Sequence, residues 1–256
     1  MRLAFMSDIH GNLPALTAVL YHMDQRKPDE VYCLGDLVNF AGWDNEVVNT
    51  IRSRKITTVQ GNHDEGIGYG KDNFAFSYNS DGQREFGLRS IALVNSTITP
   101  DNRKFLADLP FMVQLEFRFD FHSLRLAMVH GSVTTNEEYV QAEETDANLL
   151  AMMDTVNADI LLMGHTHVPY HKTIFAEEEN RKIYKHAINV GSVGKPKHGD
   201  LQACYMLLDI KWDTDLSNPR AVQVHVEYVA YDTTSVIQKI RSLGLPGAYD
   251  DYLRKG

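Results

Sequence analysis

Cysteines and long apolar runs are both scarce in this sequence of 256 residues. Two cysteines, Cys33 and Cys204, are too few for a disulfide framework. No segment approaches the roughly 18 consecutive apolar residues of a membrane-spanning helix. The apolar run at residues 3–6 is too short for a signal peptide, and no small-residue cleavage site follows it. We therefore expect a cytoplasmic protein without a membrane partner.

Positive charge is also in short supply. The formal net charge is −9, from 25 lysines and arginines against 34 aspartates and glutamates. Proteins that bind duplex nucleic acid usually cluster Lys and Arg along the phosphate backbone, so we expect no such partner. A small phosphorylated substrate is compatible with this charge, because a bound metal supplies positive charge locally.

Strands and helices alternate in the first half of the chain. Apolar runs typical of buried strands occur at residues 3–6, 31–34 and 56–59, and the segments between them have helical periodicity. Asn12 is a suitable N-cap for the first of these helices, and Pro14 lies in its first turn. The alternation predicts parallel strands with helices packed over the sheet.

The second half is richer in strands. Further strands are expected at residues 111–117, 124–129, 160–163, 182–189, 203–210 and 222–229, the first two as a hairpin. Further helices are expected at residues 84–94, after Pro100, and at residues 146–156 and 233–243. No repeat, low-complexity tract or linker divides the chain. These patterns predict one α/β domain over residues 1–256, with a helical insertion at about residues 66–108.

Polar side chains follow five of the predicted strands at the point where each strand ends. They are Asp8 and His10, then Asp36, then Asn62, His63 and Asp64, then His130, and finally His165 and His167. Ligands of open α/β sheets collect outside the carboxyl ends of the strands. Alternate residues of an extended segment lie on the same side, so an Asp-x-His or a His-x-His pair can reach one ion.

Seven of these residues carry the oxygen and nitrogen donors that suit first-row divalent ions. The candidate metal ligands are Asp8, His10, Asp36, Asn62, His130, His165 and His167. Such a set exceeds what one tetrahedral ion needs, so we expect two divalent metal ions, with manganese, iron and zinc as candidates. Two ions about 3.5–4 Å apart can activate water and stabilise both the attacking and the leaving oxygen of an in-line displacement.

Each segment alone has a simpler explanation. An Asp-x-His pair is more often a cap or a hydrogen-bonded loop, His130 alone would be a satisfied core histidine, and residues 61–64 could form an ordinary turn. Five such segments, each after an apolar strand, would seldom coincide by chance. We therefore favour a metal site over these structural explanations.

The five segments together resemble the signature blocks of the calcineurin-like metallophosphoesterases. Residues 35–38 with 45–48, and residues 189–196, are also similar to a compact bacterial branch of that family, which groups diadenosine-tetraphosphatase-like and phosphodiesterase-like enzymes. The resemblance implies a four-layer αββα sandwich in which helices flank two mixed β-sheets. Two departures lie where substrate fit could be set. Val190 replaces the usual proline of Asn-Pro-Gly-Ser, and residues 39–44 lack the usual glycine- and proline-rich sequence.

The resemblance also implies how the ligands are shared. One ion would be bound by Asp8, His10 and His167. The other would be bound by Asn62, His130 and His165, and Asp36 would bridge both. His63 would be catalytic, either as general acid or by steadying the phosphate, with Asp64 as the carboxylate that orients it. The candidate substrate-binding residues are Asn12, Asn62 and His63.

The expected reaction is hydrolysis of a phosphate ester or anhydride by attack of a metal-bound hydroxide. Small phosphodiesters and nucleotide polyphosphates are the favoured substrates, because side chains of the insertion could contact a base and a second phosphate. These side chains are Tyr69, Lys71, Phe74, Phe76, Tyr78 and Arg84. Alternatively, the aromatic residues simply pack the insertion against the core.

Other functions compete with this expectation. A phosphomonoesterase or a phosphoprotein phosphatase would use the same ligands. A protein of another class would bind a nucleotide or a protein without catalysis, as a subunit of the retromer coat with this fold does. That subunit resembles an enzyme that lost part of its metal site, whereas all seven ligands and His63 are present here. Metal-dependent hydrolysis of a nitrophenyl phosphodiester distinguishes the two classes.

Overall fold

The protein is described by a computed structural model that covers residues 1–74, 81–119, 123–178 and 181–244. Within these ranges, ten strands form two five-stranded sheets, and seven helices flank them. Each sheet contains both parallel and antiparallel pairs, as the predicted mixed sheets require. None of the described helices combines the length and the apolar composition needed to cross a bilayer.

The first sheet contains the alternating start of the chain. Its strands lie in the order β10 (Gln223–Val229), β9 (Ala203–Asp209), β1 (Arg2–Met6), β2 (Glu30–Cys33) and β3 (Thr57–Thr58). The predicted parallel pairing is confirmed between β1, β2 and β3, while β9 runs antiparallel to β1 and β10. Helices α1 (Leu13–Arg26) and α2 (Asp44–Ser53) connect the parallel strands. Asn12 caps α1 as predicted, because its side chain accepts the N–H of Ala15.

The second sheet comes from the strand-rich part of the chain. Its order is β4 (Met112–Arg118), β5 (Ser123–Val129), β6 (Ile160–Met163), β8 (Arg181–Asn189) and β7 (Tyr170–Glu178). The expected hairpin partners β4 and β5 are antiparallel, and the residues that join them, 120–122, lie outside the described ranges. β6 is parallel to both β5 and β8. Strand β7 was not predicted, because it is an edge strand that alternates exposed and partly buried residues.

Side-chain alternation along the central strands sets the layers. On β1, Phe5 points between the two sheets, whereas Met6 packs with the helices on the outer face. On β6, Leu162 points between the sheets, and Leu161 packs against helix α6 (Asp146–Thr155) on the opposite outer face. The order of layers is therefore helix, sheet, sheet, helix. This order confirms the predicted αββα sandwich.

Among the described residues between β3 and β4 there are three helices: α3 (Asn62–Gly68), α4 (Asp81–Thr97) and α5 (Pro100–Ala107). Helices α4 and α5 were expected within the insertion, but α3 was not, since two glycines interrupt its sequence. Both glycines allow close packing rather than flexibility. A Cβ on Gly66 would overlap the ring of Phe74, and one on Gly68 would lie 2.7 Å from the backbone nitrogen of Ala107. The last helix, α7 (Thr233–Ser242), lies where it was predicted.

The loops after β2 and β3 contact each other. Gly35 has a φ of 94°, which L side chains rarely adopt, and a Cβ there would lie 2.5 Å from the backbone nitrogen of Gly61. Gly61 meets the same contact from the other side, because a Cβ there would overlap the carboxylate and the backbone nitrogen of Asp36. The two glycines therefore allow Asp36 to lie against the start of α3.

We predict that Gly61→Ala destabilises the protein by about 1–3 kcal/mol, the usual cost of overpacking, because the added methyl group displaces Asp36 or the backbone beside it. Gly82→Ala on α4 is the matched control, since nothing lies within 4 Å of a Cβ built at that position. The control should be neutral or slightly stabilising. Urea unfolding measures both variants, and equal free energies of unfolding would contradict the tight contact at Gly61.

Candidate metal centre

The seven candidate ligands lie together at one edge of the sandwich. They follow β1, β2, β5 and β6 or begin α3, so both sheets contribute. Each is at most 5% exposed. Carboxylates and imidazoles buried in such number need partners that satisfy their lone pairs and charges. The structure therefore brings together every residue that was selected from the sequence as a ligand.

The backbone of these residues is unusual. Ten described non-glycine residues have a positive φ. Five of the ten are candidate ligands, namely Asp8, His10, Asp36, His165 and His167. Only a few per cent of non-glycine residues adopt this conformation. Hydrogen bonds between loops hold it here, since the N–H of Asp8 donates to Gly35 O and that of His10 donates to Asp36 O, each at 2.9 Å. Strained backbone of this kind collects at functional sites.

Asp8, His10 and His167 form the first group of facing atoms. Nε2 of His167 lies 3.1 Å from Oδ1 of Asp8 and 3.1 Å from Nε2 of His10. The opposite nitrogens of the two rings face backbone carbonyls: Nδ1 of His167 lies 2.6 Å from Lys195 O, and Nδ1 of His10 lies 3.4 Å from Val38 O. A carbonyl oxygen only accepts, so in the neutral rings each Nδ1 carries the proton and each Nε2 presents a lone pair.

The second group consists of Asp36, Asn62, His130 and His165. Nε2 of His130 lies 3.2 Å from Nδ1 of His165 and 3.4 Å from Oδ2 of Asp36. Oδ1 of Asn62 lies 3.1 Å from the same nitrogen of His130. The far nitrogens of both rings donate to backbone carbonyls, at 2.7 Å for His130 and 3.1 Å for His165. In the neutral rings, the nitrogens that face each other are again acceptors.

Lone pairs that point at one another repel unless a cation lies between them. Each group offers imidazole nitrogen and carboxylate oxygen, the donors that divalent first-row ions bind. Oδ1 of Asp8 is also buried and accepts no hydrogen bond from the described residues. These His/Asp clusters therefore fit divalent metal ions.

Asp36, a member of the second group, also faces the first group. Its Oδ2 is 3.4 Å from Nε2 of His130 and 3.7 Å from Nε2 of His10. Its Oδ1 accepts the backbone N–H of His63 at 2.9 Å. Nε2 of His63 lies 3.9 Å from Oδ2 of Asp36, so this ring also borders the centre. The carboxylate therefore faces candidate ligands of both groups.

Burial keeps the candidate ligand histidines in the neutral form, except for His130. Burial, helped by the neighbouring His130, lowers the pKa of His165 to about 3, and burial also brings the pKa of His10 well below its ordinary value. Burial acts in the same direction on His130, but Asp36 and Asp8 outweigh it and raise that pKa to about 10. Metal ligands must be deprotonated. A proton held at His130 therefore occupies a place that a cation would take.

His63 and Asp64 lie in the first turn of α3, and the catalytic role expected of Asp64 stays a prediction. Its carboxylate accepts three backbone N–H groups, including that of Asp36 at 2.7 Å. Nδ1 of His63 instead faces Nδ2 of Asn39 at 2.9 Å. Asp64 thus holds the Asp36 loop against α3, and Asn39 is the polar side chain at His63. Asn39 belongs to residues 39–44, where the sequence departs from the family pattern.

Two other residues singled out from the sequence have contacts within the scaffold. Asn12 is fully buried, and its side chain accepts the N–H of Ala15 at 3.1 Å and donates to Gly194 O at 3.0 Å. Its contact with substrate stays a prediction. Val190 is buried between the two sheets, so the loss of the usual proline affects the core near the centre rather than a substrate surface.

The side chains of the insertion that were expected to bind substrate are dispersed. Phe74 packs edge-on against His63, with ring centroids 5.2 Å apart. Lys71 forms an ion pair with Glu65 at 2.5 Å. Tyr69 and Arg84 are exposed, and Phe76 and Tyr78 lie outside the described residues. Phe74 therefore supports the centre by packing, and a base-stacking role for the other aromatic residues stays a prediction.

A positively charged side chain reaches the centre from the loop after β8. Nζ of Lys195 lies 3.7 Å from the ring centroid of Phe40, and that ring lies 5.2 Å from the ring of His63. Burial and the nearby Lys197 lower the pKa of Lys195 to about 7. No role was predicted for Lys195, because nothing in the sequence shows that its loop folds back over the centre.

A family model matches most of this chain. Residues 1–213 match the family model of the calcineurin-like phosphoesterase superfamily domain. The chain belongs to this superfamily. The match includes every candidate ligand, and it confirms the resemblance inferred from the five sequence segments.

Relatives of this calcineurin-like phosphoesterase cover nearly its whole length. A metallophosphoesterase from Sphaerobacter thermophilus is 23% identical, with a TM-score of 0.71 over 100% of this chain and 98% of that one. The hypothetical protein PH1004 from Pyrococcus horikoshii OT3 is 19% identical, with a TM-score of 0.72 over 98% and 97%. The uncharacterized protein MJ0912 of Methanocaldococcus jannaschii is 31% identical over 257 residues, 95% of this chain and 93% of that protein. The two structures confirm the fold.

Asp36→Asn tests the shared position. The amide keeps an oxygen for the N–H of His63 but removes the charge that both groups use, so metal affinity should fall at both by about 10–100-fold or more. His225→Gln is the control, since this histidine of β10 has a side chain that is 50% exposed. Elemental analysis after metal loading and desalting measures the number of metal ions bound per chain. Wild-type metal content in Asp36→Asn would contradict the assignment.

Proposed function

We propose that this protein is a dinuclear metal-dependent phosphoesterase that hydrolyses phosphate esters or anhydrides. The two groups of facing acceptor atoms that share Asp36 are the observation that supports it. One ion would be held by Asp8, His10 and His167, and the other by Asn62, His130 and His165. Mixed nitrogen and oxygen ligands leave manganese, iron and zinc as the candidate ions.

When bound, the two ions would lower the pKa of water and neutralise charge on the phosphoryl oxygens. The side chains of the protein would prepare the site for them. Backbone carbonyls fix the proton on one nitrogen of each liganding ring, so no ring has to reorient when charge develops. His63 borders the centre with Nε2, where it would contact a phosphoryl or leaving-group oxygen. Lys195 would place a positive charge beside the same substrate.

Small substrates suit this centre better than phosphoproteins. The candidate ligands and His63 are at most 5% exposed, so a reacting phosphate must enter a narrow site. Lys195 and Lys197 follow each other closely on the loop after β8, and Lys197 donates its backbone N–H to His167 O at 3.2 Å. Two lysines at the edge of the centre could contact a second phosphate. We therefore propose small phosphodiesters or nucleotide polyphosphates as substrates.

The reaction class is tested by hydrolysis of bis(4-nitrophenyl) phosphate after loading with manganese, zinc or iron. We expect metal-dependent turnover that a chelator abolishes and that Asp36→Asn lowers at least about 10²-fold, a loss typical of removing one preorganised electrostatic contact. His225→Gln should retain wild-type turnover. If metal-loaded wild type hydrolyses no compound in a panel of phosphorylated metabolites, the protein is a non-catalytic member of the fold.

The substrate class is tested with Lys195→Gln. Because a hydrogen bond to a charged group contributes about 1.5–3 kcal/mol, KM for a nucleotide polyphosphate should rise about 10-fold or more. KM for a nitrophenyl diester, which has no second phosphate, should change less. Lys211→Gln, at the opposite end of the first sheet, is the matched control. Faster wild-type turnover of a phosphopeptide than of every nucleotide would overturn the proposal.

A further inference from the structure

A buried polar chain connects the insertion to His63, and no step of the proposed reaction uses it yet. Asn39 is fully buried, and its Nδ2 lies 2.9 Å from Nδ1 of His63. Ser90, on α4, is 2% exposed, and its hydroxyl contacts Oδ1 of Asn39. Three side chains from three different segments therefore form one hydrogen-bonded row that ends at the metal centre.

The orientation of the Asn39 amide follows from its neighbours. The backbone N–H of Phe40 can only donate, and it lies 3.0 Å from Oδ1 of Asn39. The same N–H lies 3.2 Å from Oγ of Ser90, which accepts it. The hydroxyl of Ser90 can then donate its own proton to Oδ1 of Asn39. A flipped amide would put two donors against each other. Nδ2 is therefore the atom that faces His63.

This orientation determines which nitrogen of His63 carries the proton. Nδ2 of Asn39 has only hydrogens to offer, so Nδ1 of His63 must accept. The ring proton is then on Nε2, the nitrogen that lies 3.9 Å from Oδ2 of Asp36. An N–H is thereby directed at the centre. A carboxylate in place of the amide would do the opposite, because it would draw the proton to Nδ1.

The backbone of this loop is held in the conformation that the contact needs. Asn39 and Phe40 have φ values of 80° and 82°. Asn tolerates this region better than most residues do, whereas a bulky residue such as Phe rarely adopts it. The N–H of Asn39 donates to Oδ1 of the buried Asp44 at 2.6 Å, and the N–H of Ala41 donates to His10 O at 3.0 Å. Hydrogen bonds before and after Phe40 therefore hold the backbone of this loop in its positive-φ conformation.

We propose that Asn39, supported by Ser90, is a positioning residue that keeps the proton of His63 on Nε2. His63 then acts on substrate as a hydrogen-bond donor to a phosphoryl oxygen, and it keeps its proton instead of passing it to the leaving group. The inference rests on the proposed phosphoesterase activity for this last step. The tautomer itself is independent of activity.

The tautomer is measured by nitrogen NMR of the zinc-loaded protein with ¹⁵N-labelled histidine. The signals of His63, among the 11 histidines, are assigned by their loss in His63→Gln. We expect Nδ1 to be unprotonated and Nε2 to be protonated in the wild type. Asn39→Asp should move a proton to Nδ1, which a merely structural role of Asn39 would not do. A wild-type His63 protonated on Nδ1 would overturn the proposal even if the protein is an active enzyme.

Kinetics test the consequence. Asn39→Gly removes the amide but keeps a residue that tolerates positive φ, and Ser90→Ala removes the supporting hydroxyl. We expect kcat to fall about 10–100-fold for Asn39→Gly and less for Ser90→Ala, with metal content retained. Asn157→Gly, at an exposed residue with a φ of 51°, and Ser96→Ala, at an exposed residue of α4, are the matched controls. Wild-type kcat in Asn39→Gly would contradict the positioning role.

The leaving group separates a hydrogen-bond donor from a general acid. His63→Gln should lower kcat by a similar factor for a nitrophenyl ester and for an alkyl ester, whose leaving group needs a proton. A loss confined to the alkyl ester would show that His63 delivers its proton, and it would overturn the donor role. Absence of turnover in the wild type would instead reject the proposed function, and the NMR experiment would still decide the tautomer.

Discussion

A buried carboxylate between two sets of histidines is the constraint on which the rest of this structure depends. Asp36 is 1% exposed, and its charge would be costly to bury without compensation. His10, from the first sheet, and His130, from the second, approach its Oδ2 to 3.7 and 3.4 Å. The ends of strands from both sheets must therefore meet at this carboxylate. The contact between the sheets provides the hydrophobic stabilisation, and the carboxylate fixes which ends face each other.

The loops that contact Asp36 have a strained backbone conformation. Five candidate ligands adopt a positive φ, and the backbone N–H groups of four of them donate to other loops, namely those of Asp8, His10, Asp36 and His165. Asp64 accepts three such N–H groups, and Gly35 and Gly61 allow the two loops to touch. Each strained residue costs on the order of 1–3 kcal/mol. The packed sandwich below the loops offsets this cost.

Local patterns in the sequence predicted the strands, the helices and the candidate ligands, whereas the resemblance to a known family implied the sandwich. Apolar runs of period two and helices of period 3.6 place strand ends, and parallel strands bring those ends to one edge. Glycines were less informative. Gly66 and Gly68 interrupt the helical pattern of the sequence, but they allow α3 to pack against Phe74 and α5. Strand β7 escaped detection because an edge strand has a weak apolar pattern.

Features that depend on distant segments could not be predicted. The left-handed backbone of Asp8 is fixed by Gly35, which is far from it in the chain, and the partner of His63 is a side chain 24 residues earlier. The family resemblance had implied Asp64 as that partner. When two loops meet in the fold, a side chain of one loop can hydrogen-bond to the other loop instead of to its own neighbours in sequence. The sequence therefore indicates which residues belong to this centre, whereas their hydrogen-bond partners can be identified only from the fold.

The insertion contributes two side chains to the surroundings of His63. Ser90 and Phe74 both come from it, and they reach His63 through Asn39 and by direct ring contact. A substitution at either position would therefore be expected to change the surroundings of His63. Under the proposed role of Asn39, loss of the Ser90 hydroxyl would free Oδ1 of the amide and with it the direction of the His63 proton. Such a substitution would need compensation within residues 39–44 to keep His63 in place.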